Sequence, residues 1–214
     1  MKSSSNYGAG IALSLGSILC VITMLLLPVG QSVQQIASVR VPNIMAHSIA
    51  IFAVPFLYLG GKGLREILKE DWFFANIGQS FFSFAILAAL LAASCNGLAL
   101  PFFVDSLDVN APGIQEQVEN ILSYGFALNR GFDYIFMTGV AIAIILWGVA
   151  ILRTNALSRA LGMAGLLIGA LGVYTVFSGT LGIHLHEFKI YVFGFVAWTI
   201  WAGVEMLRFK SPKS

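Results

Sequence analysis

The chain has 214 residues, 58% of them hydrophobic and only 10% Asp, Glu, Lys or Arg, with a net charge of +2 and a mean hydropathy of +0.86. Ordinary soluble domains carry roughly 25% charged residues, so a soluble globular protein is excluded, and most of this length is needed for crossing a bilayer. The two cysteines, Cys20 and Cys95, both fall inside apolar runs and make no disulfide framework; small apolar packing is their expected role.

In chain order, residues 3–39, 41–61, 72–104, 134–152, 160–186 and 190–204 contain no Asp, Glu, Lys or Arg. Each holds an apolar run near the ~20 residues that a membrane-crossing helix requires. The expected fold class is an all-α integral membrane protein: one transmembrane domain over residues 1–214, a bundle of six helices at about 10–28, 46–61, 78–102, 134–152, 160–182 and 188–207. The first run passes into Pro28 and Gly30 with no small-residue cleavage pattern, so a retained span is expected there, not a signal peptide. Gly10 with Ser14, and Ala12 with Gly16, stand at small-xxx-small spacing in span one. Pro55 falls inside span two, where it removes a backbone hydrogen bond and is expected to kink the helix. Between spans three and four, Ile114, Val118, Ile121 and Leu122 oppose Gln115, Glu116, Glu119 and Asn120 behind Pro112, the pattern of a short amphipathic helix on the membrane surface. A shorter one is expected in the loop at 31–40. Span five carries Gly162, Gly165, Gly169 and Gly172 and is expected at the centre of the bundle. Trp72, Trp147, Trp198 and Trp201 fall toward one membrane face, as an aromatic belt would.

The charge clusters between spans differ in sign. Nine of the twelve basic residues share the face of the two termini, among them Lys62, Arg65, Lys69, Arg153, Arg159 and Arg208. By the positive-inside rule that face is cytoplasmic, and the chain is expected as a multi-pass protein of the cell (inner) membrane with both termini cytoplasmic. Spans two, four and six end alike, in Gly-Leu-Arg at 63–65, Ile-Leu-Arg at 151–153 and Met-Leu-Arg at 206–208, which is consistent with three helical hairpins in series.

The opposite face holds every histidine. His47 opens span two, and His184 and His186 stand in the turn before span six, with Asp133 and Glu187 opening spans four and six. Imidazoles and carboxylates at one depth are ligands for a divalent metal such as Zn²⁺, Cu²⁺ or Fe²⁺; His47, His184 and His186 are the candidate ligands, Asp133 and Glu187 the groups behind them. A haem held by His47 and His184 is a variant of the same site. Asn129, Arg130 and Asp133 form a charged corner at the entry to span four, where Arg130 is placed to pair with Asp133 or Glu187. Inside the spans the polar groups are few, Ser94 and Asn96 foremost, then Thr175 and Ser178 in span five; a small-solute carrier would draw on these. No His-Glu-x-x-His, Gly-x-Ser-x-Gly or phosphate-binding loop is present, and no basic patch interleaved with aromatics, so nothing names a reaction or points to nucleic acid.

Val41-Pro42 and Ala46-His47 at the start of span two, Leu-Gly-Gly ending at Gly61 and Leu-Ser-Arg-Ala-Leu-Gly at 157–162 give the chain its likeness. It resembles bacterial inner-membrane proteins of about this size with six spans and no assigned function. The resemblance implies fold and location only. The leading expectation is a binding, accessory or structural role in the membrane, through the lipid bilayer itself, a membrane-protein partner or a homo-oligomer; the alternatives are a metal- or haem-dependent membrane enzyme and a carrier.

Overall fold

The computed structural model describes residues 2–28, 33–107, 114–178 and 185–209. Among them every element is a helix: α1 (Lys2–Leu26), α2 (Val33–Ser38), α3 (Arg40–Ile67), α4 (Trp72–Ser94), α5 (Leu100–Asp105), α6 (Ile114–Thr154), α7 (Arg159–Phe177) and α8 (Leu185–Arg208). One tight turn of helix, Lys69–Asp71, precedes α4, and one widened π turn, Cys95–Ala99, joins α4 to α5. Six of these segments, α1, α3, α4 with its continuation, α6, α7 and α8, are long and apolar enough to cross a membrane. The chain is an all-α, multi-pass bundle, as its composition predicts.

The helices begin and end where local chemistry dictates. Asn155 adopts the left-handed conformation, φ 51°, that stops α6, and asparagine is among the few side chains that tolerate it. Ser158 then opens α7 by accepting the amide of Leu161 at 3.2 Å. The carboxylate of Glu205 on α8 accepts both the amide and the hydroxyl of Ser158, tying this turn to the end of the chain. Pro55 lies inside α3, which runs on through it.

Three features depart from the sequence pattern. The amphipathic stretch at 114–122 is helical but does not stand alone: it forms the first turns of the 41-residue α6. Only Gly125 and Gly131 interrupt helix formers there, and each costs about 1 kcal/mol, too little to break a helix that has tertiary support. At 1.5 Å per residue such a helix is about 60 Å long, about twice the apolar thickness of a bilayer. Its early turns put Val118 and Leu122 against Ile36 of α2 and Leu100 and Val104 at the start and end of α5, a small second core that caps one end of the bundle.

The second departure concerns the centre. That place belongs to α6, where Val140, Ala141, Ala143, Ile144, Trp147, Ala150 and Ile151 have no exposed surface. Glycine-rich α7 packs on the outside of α6 and presents Met163, Leu167, Leu171 and Tyr174 outward. Its glycines do serve close approach: a Cβ on Gly169 would stand 2.8 Å from the carbonyl of Ala141. They mark one intimate face, and one face is what a peripheral helix needs. The third departure is in the tryptophans. Trp72 and Trp201 are exposed, but Trp147 and Trp198 are buried and stacked, with ring centroids 6.3 Å apart. Their N–H groups reach the carbonyls of Ala75 at 3.3 Å and Leu161 at 3.0 Å, so these two hold α4, α6, α7 and α8 together and are not belt residues.

Helix α1 lies between α3 and α8. Gly10 meets Gly203, where a Cβ would come within 2.9 Å of the facing carbonyl, and deeper in the same contact the Ser17 and Thr199 hydroxyls are 2.7 Å apart with no exposed surface. Because α1 and α8 run antiparallel, the start of the first and the end of the last share one end of the bundle. α2, α5 and the early turns of α6 form the other.

Candidate ligand cavity

At that other end, between α1, α3, α4, α6 and α8, the bundle holds a half-open cavity of about 620 Å³. Ligand pockets for small molecules run to roughly 300–1,000 Å³. Its floor is apolar, formed by Leu57, Ile86, Phe136 and Phe195, with Cys20, Met24 and Ala89 on the walls. Above the floor lies a half-buried ring of Asn43, His47, Asn96, Asn129 and Asp133. Exposed Glu119, Ser123 and Arg130 stand at the mouth.

The π turn builds one side of this ring. A π turn carries an extra residue per turn and leaves the regular i to i−4 ladder locally unmatched. Here the main-chain oxygen of Asn96 is taken by the side chain of Asn43, whose Nδ2 donates at 3.0 Å. The next residue is Gly97, and His47 lies directly on it: a Cβ at that position would collide with the Cβ and Cγ of His47. The imidazole is oriented by its Nδ1, which lies 2.9 Å from the carbonyl of Asn43 one turn earlier. On the opposite wall, Asn129 donates its Nδ2 to Oδ2 of Asp133 at 2.8 Å. That bond takes the place of the Arg130–Asp133 pairing that the spacing predicts. Among the side chains of the lining residues, Asn96 alone has a buried polar atom, Oδ1, without a hydrogen-bond partner among the described residues, and that atom has no surface open to the cavity.

Comparison with protein-family models, with curated proteins and with solved structures returned no match for this chain. The site therefore rests on its own geometry.

Of the residues singled out from the sequence, His47, Asp133 and Asn96 line this one cavity. Ser94 does not: its hydroxyl donates to Leu90 O at 2.8 Å within its own helix. Thr175 likewise spends its hydroxyl on Gly172 O at 2.9 Å. His184 lies outside the described residues, and so do the side chains of His186 and Glu187; α8 begins at Leu185, which puts His186 in its first turn. Among the described residues no three His, Cys, Asp or Glu side chains gather as ligands for an ion.

Asn43 escaped the sequence reading, and Asn129 enters it only as part of the corner with Arg130 and Asp133. Asn129 stands four residues before Asp133, whose carboxylate its side chain holds, and that i, i+4 spacing is a signal in the sequence; His47 bonds the main-chain carbonyl of Asn43, which any residue would supply. Arg40 on α3 pairs with Asp105 at the end of α5 and fastens the cap above the cavity.

Proposed function

We propose that this chain is a multi-pass protein of the cytoplasmic membrane whose role is binding: it holds a membrane-soluble amphiphile in the cavity between α1, α3, α4, α6 and α8. The observation that carries the reading is the polarity gradient within one half-open cavity. A floor of Leu57, Ile86, Phe136 and Phe195 suits a hydrocarbon chain, and the ring of Asn43, His47, Asn96, Asn129 and Asp133 suits a hydrogen-bonding head. The excess of basic residues at the end bearing the termini orients the cavity toward the outer face. The cap of α2, α5 and the early turns of α6 then covers the head-group end, the position from which the chain would present its ligand to a membrane partner.

The test is retention of a ligand through purification. Native mass spectrometry of the protein released from mild detergent should show a bound amphiphile on the wild type. Filling the cavity with Ala89→Trp, or more gently with Ala50→Leu, should remove it. A wild type that emerges bare, or variants that keep the same adduct, would refute the reading.

A further inference from the structure

An amphiphile in this cavity, the reading on which the rest depends, has to pass between helices, and the helix seams are not sealed alike. α1, α3, α4, α6 and α8 follow one another around the cavity, and α8 returns to α1. Four of these five seams close at a glycine. A Cβ on Gly16 of α1 would stand 2.9 Å from the amide nitrogen of Leu57 on α3, and one on Gly139 of α6 would stand 3.1 Å from the carbonyl oxygen of Phe81 on α4. Gly97, which continues α4, lies under His47 of α3, and Gly10 of α1 meets Gly203 of α8.

The fifth seam, α6 against α8, is built differently. No glycine of either helix meets the other, Gly131 and Gly194 having nothing within 4 Å, and the two backbones scarcely approach. Rings fill the space instead. Deep in the bundle these are the stacked indoles of Trp147 and Trp198; beside the cavity Phe136 stands 6.2 Å from Phe188 and 6.0 Å from Phe195, centroid to centroid. Among the described residues one hydrogen bond crosses the seam, from the Tyr191 hydroxyl to the carbonyl of Met137 at 2.9 Å. α7 lies behind the seam as far as Gly172, where the Tyr191 ring meets it. Beyond that bond, toward the cap, Phe136 and Phe188 both line the cavity. Rings turn about side-chain torsions, whereas parting two packed backbones moves whole helices. At 1.5 Å per residue Phe136 lies about 26 Å along α6 from Arg153, within the ~30 Å of bilayer hydrocarbon, while Ser123 at the mouth lies about 45 Å away.

We propose that the seam between α6 and α8 is a lateral portal through which the cavity exchanges its ligand with the neighbouring lipid leaflet, with Phe136 and Phe188 as its gate and the Tyr191–Met137 bond as its latch. The apolar chain then enters at hydrocarbon depth and never crosses water, as it would through the mouth beneath the cap.

The test follows exchange of dodecanol brominated at the far end of its chain, with the full chain in phosphatidylcholine nanodiscs. Bromine quenches nearby indoles, and Trp147 stands one ring from the floor: it lies 5.0 Å from Phe82, which lies 6.2 Å from Phe195. Replacing the exposed Trp72 and Trp201 by Phe confines the signal to the two buried indoles. Stopped-flow mixing with probe-loaded vesicles reads entry, and mixing with excess empty vesicles reads release. Tyr191 does not line the cavity, so Tyr191→Phe should speed entry and release alike by about threefold, the usual worth of an interhelical hydrogen bond, and leave Kd unchanged. Phe188→Ala should speed entry about tenfold, and Arg40→Ala, which loosens the cap, should change neither rate. Wild-type rates in both seam variants, or faster exchange in Arg40→Ala alone, would overturn the portal and assign entry to the mouth. If quenching of the buried indoles does not saturate, or saturates unchanged in Ala50→Leu, the cavity is no amphiphile site; the underlying reading fails and the portal with it.

Discussion

Gly97→Ala and Gly131→Ala make the same chemical change in two cavity-end helical segments and should move stability in opposite directions. A Cβ at Gly97 would fall on the Cβ and Cγ of His47, atoms too close to the α3 backbone to swing aside. Overpacking costs about 1–3 kcal/mol, and a clash between two backbone-anchored atoms belongs at the upper end. Against that, replacing a helical glycine by alanine gains about 1 kcal/mol, so the net loss at Gly97 is about 2 kcal/mol. At Gly131 nothing lies within 4 Å of the added carbon, and only the gain of about 1 kcal/mol remains. The variants should thus differ by about 3 kcal/mol, a factor of about a hundred in the unfolding equilibrium. Reversible unfolding of the purified protein in mixed micelles, followed by far-UV circular dichroism, measures both. Gly97→Ala as stable as the wild type would refute the packing of His47 on the π turn, and with it the shape of the cavity wall.

Other outcomes follow from the core. Trp198→Phe removes the bond to Leu161 O, a carbonyl that keeps the amide of its own helix, and should cost about 1 kcal/mol, whereas Trp201→Phe, at an exposed position, should be near neutral in the same assay. A double-mutant cycle over Ser17→Ala and Thr199→Val should return a coupling of about 0.6 kcal/mol, the usual worth of an interhelical hydrogen bond in a membrane protein; zero coupling would mean that α1 and α8 do not meet there. Arg40→Ala should cost under about 1 kcal/mol, because its pair with Asp105 is partly exposed, and its effect should fall further with added salt.

The spans were legible because crossing a bilayer imposes a length and a hydropathy that each segment carries within itself. Asn155 and Ser158, which end α6 and start α7, are local signals as well. What the sequence concealed depends on residues far apart in the chain. His47 meets Gly97, and Asn43 meets Asn96, each across about fifty positions, so neither pair leaves a periodic trace. The glycines of α7 announced close packing but not on how many sides, which is why a peripheral helix read as a central one. The indoles of Trp147 and Trp198 could not be told from those of Trp72 and Trp201 by position along a span; carbonyls supplied by neighbouring helices decide which are buried. The candidate site was half legible: His47, Asp133 and Asn96 drew attention as rare polar groups, and the cavity that unites them is a product of packing.

The most direct measurement is an experimental structure of the full chain grown with dodecanol brominated at the far end of its chain. Anomalous scattering should place the bromine on the apolar floor beside Leu57, Ile86 and Phe195, with the head group toward the end lined by Asn43, His47, Asn129 and Asp133. Bromine found only on the outer surfaces of the helices, with the cavity free of the probe, would contradict the account.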